Sequence, residues 1–147
     1  MNNAVKQRSL PVAAVVALRP RQWAKNVLVF AAPLAAGKIF QPDIFWPSVG
    51  AFIAFCLISS ATYLVNDARD VESDKTHPKK SRRPIAAGEL PIPMAIAIAI
   101  VLAALSLIGS YLIQPALAGI VLAYAIFTLS YSLFLKHEPV IELALLS

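Results

Sequence analysis

The stretch IFWPSVGAFIAFCLISSATYLVNDARDVESD, residues 44–74, decides how this chain folds. Its first part, Ile44 to Asn66, carries no charge, whereas Asp67, Arg69, Asp70, Glu72 and Asp74 follow within a few positions. A hydrocarbon core about 30 Å thick takes about 20 apolar residues in a helix, so residues 44–66 suffice for one crossing. The acidic residues then emerge directly from the end of that helix.

Outward from this stretch the same division recurs. Leu90 to Leu135 is a second uncharged run, too long for one crossing, and Gln114-Pro115 in its middle supplies a polar, helix-breaking turn. Two further helices are expected, over residues 91–113 and 116–135. Upstream, residues 24–38 form a shorter apolar segment interrupted by Pro33, which reaches across with Trp23, Lys25 and Lys38 at the interfaces. Val12 to Leu18 is only seven residues long and is followed by Arg19-Pro20-Arg21 without a small-residue cleavage site, so it reads as an interfacial helix rather than a secretory signal. After Pro139 another apolar run starts and stops at Ser147, about 13 Å of helix against the ~30 Å of a span. The expectation is a cut within a fifth helix, from a fragment of a longer protein or an incomplete gene model.

Composition agrees with an all-α integral membrane protein. Of 147 residues 59% are hydrophobic and 14% charged, with a mean hydropathy of +0.70, against roughly 25% charged in a soluble domain. Lys and Arg number five before the first span, one after it, six between Asp67 and Glu89, none at Gln114-Pro115 and one at Lys136. That alternation places the N-terminus, the charged loop and Lys136 on the cytoplasmic side. The net charge of +5 sits beside apolar spans, where lipid head groups or phosphorylated substrates account for it; no nucleic-acid partner is expected. Cys56 is the single cysteine and lies in an apolar run, which excludes an intrachain disulfide or a cysteine-based zinc site.

The chemistry concentrates in Asn66-Asp67-Ala68-Arg69-Asp70-Val71-Glu72-Ser73-Asp74. If the helix continues past the membrane surface, Asp67, Asp70 and Asp74 fall within a sector of about 60°, while Glu72 points elsewhere. Carboxylates so crowded need a counter-ion, and a hard divalent cation such as Mg²⁺, held by one or two carboxylates plus substrate phosphates, meets that need. Asn66 adds a neutral amide for a phosphate or sugar oxygen. Downstream, Lys79, Lys80, Arg82 and Arg83 suit the remaining charge of a metal-bound diphosphate, Arg by bidentate contact. These cations also act as the topology signal, and the plain alternative is an acidic helix end neutralised by the lysines that follow. Arg19 and Lys25, in Arg19-Pro20-Arg21-Gln22-Trp23-Ala24-Lys25-Asn26, are either interface anchors or phosphate ligands.

The NDxxDxxxD pattern at Asn66 to Asp74, followed by Arg83-Pro84-Ile85-Ala86-Ala87-Gly88, resembles the first aspartate-rich motif of the UbiA family of intramembrane prenyltransferases. Arg19 to Asn26, Tyr63 to Asp67, His77-Pro78-Lys79 and Leu135-Lys136-His137 are similar to one branch of that family. The resemblance implies a UbiA-like helical bundle of nine helices with a cytoplasm-facing cavity open to the lipid. This chain would supply the first four transmembrane helices and the start of a fifth, at 139–147. It implies a bacterial plasma-membrane transferase that moves 5-phosphoribose from 5-phosphoribosyl diphosphate to a polyprenyl (decaprenyl) phosphate, releasing diphosphate, for cell-wall arabinan biosynthesis. Asp67, Asp70 and Asp74 would hold Mg²⁺ or Mn²⁺ on the donor, assisted by Asn66, while Arg19, Lys25, Lys79, Lys80, Arg82 and Arg83 would bind phosphates. Two alternatives stay open: a prenyl diphosphate donor with an aromatic or other acceptor, and a small non-catalytic transporter or scaffold.

Overall fold

The computed structural model describes residues 7–132, and among them every regular element is helical. The first helix, α1 (Leu10–Ala17), is followed by a 3-10 segment (Pro20–Phe30) and by α2 (Ala31–Ala35). Then come α3 (Pro42–Arg69), α4 (Val71–Lys75), a short 3-10 turn (Lys80–Arg82), α5 (Ile92–Ile113) and α6 (Pro115–Ser130). The expected fifth helix at 139–147, the end of the fourth span beyond 132, and Lys136 lie outside the described residues.

Two helices, α3 and α5, are long and apolar enough to cross a membrane, and α6 is a shorter apolar helix. Helix α3 starts where Pro42 supplies a preset φ in the first turn and Asp43 complements the positive end of the helix dipole. It runs three residues further than the uncharged stretch, carrying Asp67 as part of the helix itself. The break between α5 and α6 is a single residue, Gln114, in extended conformation (φ −165°, ψ 126°). The residue before a proline is driven to such values, so Pro115 ends one helix and opens the next.

Helix α5 lies antiparallel along α3. Gly50 meets Ile113 at one end, Ser106 Oγ donates to the Ala54 carbonyl at 2.7 Å in the middle, and Ala61 and Leu64 pack in one cluster with Ala95 and Ala99 at the other. The contact faces are small residues and serines, which let helix backbones approach closely inside a bilayer. Helix α6 closes a second cluster, with Val121 and Ala125 against Ala54 and Ile58. Large apolar side chains such as Ile100, Leu112 and Phe127 point outward, as expected of surfaces solvated by lipid or by further protein.

The segment expected as a helix over 24–38 differs in form. It is an 11-residue 3-10 stretch followed by the 5-residue α2. The 3-10 geometry rises about 2.0 Å per residue, so these few residues reach about as far as a longer α-helix. Three side chains bind the stretch to α3 in antiparallel register. Trp23 Nε1 donates to Ser60 Oγ at 2.9 Å, Asn26 Nδ2 to Cys56 Sγ at 3.5 Å, and the rings of Phe30 and Phe52 lie 5.8 Å apart. Steps of three and four residues on one strand of this pairing match steps of four on the other, which is what the tighter winding permits.

Candidate functional site

Arg19 and Asp67 are brought together by that antiparallel pairing. Ser60, which accepts from Trp23, donates its own hydroxyl to the Leu18 carbonyl at 2.7 Å, holding the chain where α1 gives way to the 3-10 segment. Arg19 there is left-handed, at φ 55° and ψ 61°, the one non-glycine residue with positive φ among the described residues. A side chain with a Cβ pays about 1 kcal/mol or more for that conformation. Here it aims the guanidinium back at α3, where Nη2 donates to Asp67 Oδ1 at 2.6 Å and the Arg19 guanidinium carbon lies 4.6 Å from the centre of the Tyr63 ring.

Arg83 reaches the same carboxylate oxygen. Its Nη1 donates to Asp67 Oδ1 at 3.2 Å and to Asp74 Oδ2 at 3.1 Å. Asp67 and Asp74 are each 2% exposed. Two carboxylates buried to that degree require positive charge close by, since an unpaired buried charge costs several kcal/mol. The site is therefore Asp67 in the last turn of the apolar helix α3 and Asp74 on α4, joined through Arg83, with Arg19 on Asp67 as well.

The three-aspartate face is rearranged relative to the sequence expectation. Helix α3 ends at Arg69, and Asp70 takes φ −91° and ψ 13° before α4 begins at Val71. An unbroken helical register from Asp67 to Asp74 is thus replaced by two helices joined at Asp70. Among the described residues no three acidic, His or Cys side chains gather as a ready cation cage. Instead Asp67 and Asp74 converge on a single nitrogen of Arg83, while Asp70 is part-buried at the junction. Asn66, also part-buried, sits one residue before Asp67 on α3.

Of the remaining cations expected at the site, Lys25, Lys79, Lys80 and Arg82 are exposed, and the ion pairs of Asp67 and Asp74 are made by Arg19 and Arg83 instead. Glu72 is exposed as expected and pairs with Lys75 at 3.5 Å. His77 carried no weight in the sequence, yet its Nδ1 accepts from the backbone N–H of Lys79 at 3.0 Å and of Lys80 at 3.1 Å, capping the turn that leads to Arg83. Sequence reasoning also missed Arg8 and Glu89, which form an ion pair of 2.6 Å beside the site. The available signal was Glu89 itself, the one acid between Asp74 and Glu138, next to an apolar helix and in need of a partner.

The donor set suits a hard divalent cation, because carboxylate oxygens of Asp67 and Asp74 already converge on one positively charged atom. It also suits phosphate, because Arg19 and Arg83 carry further planar N–H donors than the aspartates use.

Comparison with known proteins places the chain in a family. The model of the UbiA prenyltransferase family matches residues 26–147. A decaprenyl-phosphate phosphoribosyltransferase of Corynebacterium glutamicum is 50% identical over 95% of the chain and 43% of its own length. Those of Mycobacterium tuberculosis and Mycolicibacterium smegmatis are 45% and 44% identical, over 47% and 45% of their lengths. The chain spans about half the length of the curated relatives it matches.

Proposed function

The chain belongs to the UbiA prenyltransferase family, and from that premise we propose that it forms the donor-binding half of a membrane phosphoribosyltransferase. The reaction moves 5-phosphoribose from 5-phosphoribosyl diphosphate to a polyprenyl (decaprenyl) phosphate and releases diphosphate. The observation that carries the reading is the pair of buried aspartates, Asp67 at the end of α3 and Asp74 on α4, sharing one guanidinium nitrogen of Arg83. Relatives of 44% to 50% identity bear the name of that activity, which favours a phosphoribosyl over a prenyl donor.

Asp67 and Asp74, with Asp70 at the junction between them, would hold Mg²⁺ or Mn²⁺. When bound, the metal neutralises the leaving diphosphate. Arg19 and Arg83 then turn from carboxylate to phosphate oxygens, each able to bind two at once. Asn66 offers its amide to a phosphate or sugar oxygen. Lys25, Lys79, Lys80 and Arg82 line the approach as exposed positive charge and draw phosphorylated substrates to the membrane surface. The C1–O bond of ribose to diphosphate breaks with its electron pair leaving on diphosphate, and a bond forms from C1 to an oxygen of the lipid phosphate. That oxygen is already ionised near pH 7, so no strong base is needed and no His or Ser has to be supplied. The site faces the cytoplasm of a bacterial plasma membrane, where the basic loop and N-terminus lie by their charge.

In membranes carrying the whole transferase of which this chain is the donor-binding half, labelled 5-phosphoribosyl diphosphate is expected to give a lipid-linked product. Asp67→Asn and Asp74→Asn should each lower that product by at least about 100-fold while the protein still inserts. Product formed from prenyl diphosphate instead would move the reading to the other donor. Unchanged turnover in both variants would leave a scaffold or transporter as the better description.

A further inference from the structure

The loop that carries Arg83 is closed at its neck. Backbone N–H groups of Glu89 and Leu90 donate to the Pro84 carbonyl at 2.8 and 3.2 Å. Gly88, at φ +80°, makes the turn that glycine alone enters without strain. Arg82 and Glu89 therefore stand side by side although seven positions apart. Across this neck lies Arg8. Its Nη1 donates to Glu89 Oε1 at 2.6 Å and to the Arg82 carbonyl at 3.0 Å, and its backbone N–H donates to Glu89 Oε2 at 2.9 Å. Both carboxylate oxygens of Glu89 are thus engaged by one residue 81 positions away, and the Glu89 side chain is 5% exposed. One peptide bond beyond the carbonyl that Arg8 holds is Arg83, the residue that bridges Asp67 and Asp74.

We propose that Arg8 and Glu89 are a positioning pair that fixes the backbone of Arg82 and thereby aims Arg83 at the donor's diphosphate. Neither residue touches the aspartates, and neither belongs to the buried apolar clusters of the bundle, which draw on α1, α3, α4, α5 and α6 and on Ile85 and Leu90 at the ends of the loop. Their effect reaches the reaction through the placement of one guanidinium. This rests on the reading of the site as a diphosphate site. It specifies how strongly the donor is held, so breaking the pair acts on KM rather than on the bond-breaking step.

The test uses the whole transferase that contains this chain, in lipid nanodiscs, with amide hydrogen exchange and transfer kinetics measured on the same samples. Arg8→Ala and Glu89→Gln should each raise exchange across residues 80–87. They should also raise KM for 5-phosphoribosyl diphosphate about fivefold while kcat stays within about twofold. Arg8→Lys keeps a cation on Glu89 and should recover most of the affinity. Unchanged exchange in this loop overturns the proposal, and so does a loosened loop with unaltered donor KM. If the unsubstituted protein transfers nothing from this donor, the proposed function fails. The exchange arm then judges the hold of the Arg8–Glu89 pair on the loop alone: raised exchange supports it and unchanged exchange overturns it.

Discussion

The middle of the helix bundle and its charged end are held by different physics. Between α3, α5 and α6 the contacts are alanines, serines and aliphatic side chains, with Ser106 donating to Ala54 and Ser59 and Tyr124 hydrogen-bonded at 3.2 Å. Each contact there is small and replaceable, because lipid solvates apolar side chains about as well as a neighbouring helix does. At the charged end, four side chains from separate segments, Arg19, Asp67, Asp74 and Arg83, depend on one another. Removing Arg83 strips Asp74 of its ion pair and leaves Asp67 with Arg19 alone. The bundle tolerates variation where contacts are many and weak, and the site is unforgiving where they are few and charged.

The largest expected effect comes from breaking that mutual dependence. Arg83→Ala should cost about 3 kcal/mol in reversible unfolding, the scale for stranding a buried charge. Adding Asp74→Asn should return a good part of it; a double-mutant cycle without coupling would show that the two residues are independent. A smaller effect separates charge from backbone strain at Arg19. Arg19→Ala loses the contacts to Asp67 and Tyr63 but keeps the left-handed backbone, whereas Arg19→Gly also relieves it. The glycine variant should be the more stable of the two by about 1 kcal/mol in the same measurement. Smallest is Ser106→Ala in the middle of the bundle, with an expected cost near 0.6 kcal/mol. A cost as large as that of Arg83→Ala would erase the contrast between the two regions.

Much of this was legible in the chain as written. The uncharged runs located α3 and α5 to within a few residues, and Gln114-Pro115 marked the break before α6. The NDxxDxxxD pattern singled out Asp67, Asp70 and Asp74, of which the fold brings Asp67 and Asp74 together on Arg83. The break at Asp70 was not legible: the residue is compatible with a continuing helix, and only the packing of Val71 into the cluster with Leu64 and Ile85 redirects the chain. Nor was the choice of Arg83 among four neighbouring cations, since Lys79, Lys80, Arg82 and Arg83 are equivalent as charge and differ only in where a closed loop presents them. The 3-10 form of Pro20–Phe30 was hidden for a related reason, as its winding follows from the spacing of Ser60, Cys56 and Phe52 on a different element.

The amino-acid order alone determined a helical membrane chain, the positions of its long spans and the concentration of acid and base between Asp67 and Glu89. These properties follow from local composition against the thickness of a bilayer, and no partner residue enters them. Tertiary structure alone decided that Arg19 turns left-handed to meet Asp67, that Arg83 bridges two aspartates, and that Arg8 closes the neck of the loop on Glu89. Each is a pairing between residues on different elements, and buried charge chooses its partner by proximity in space.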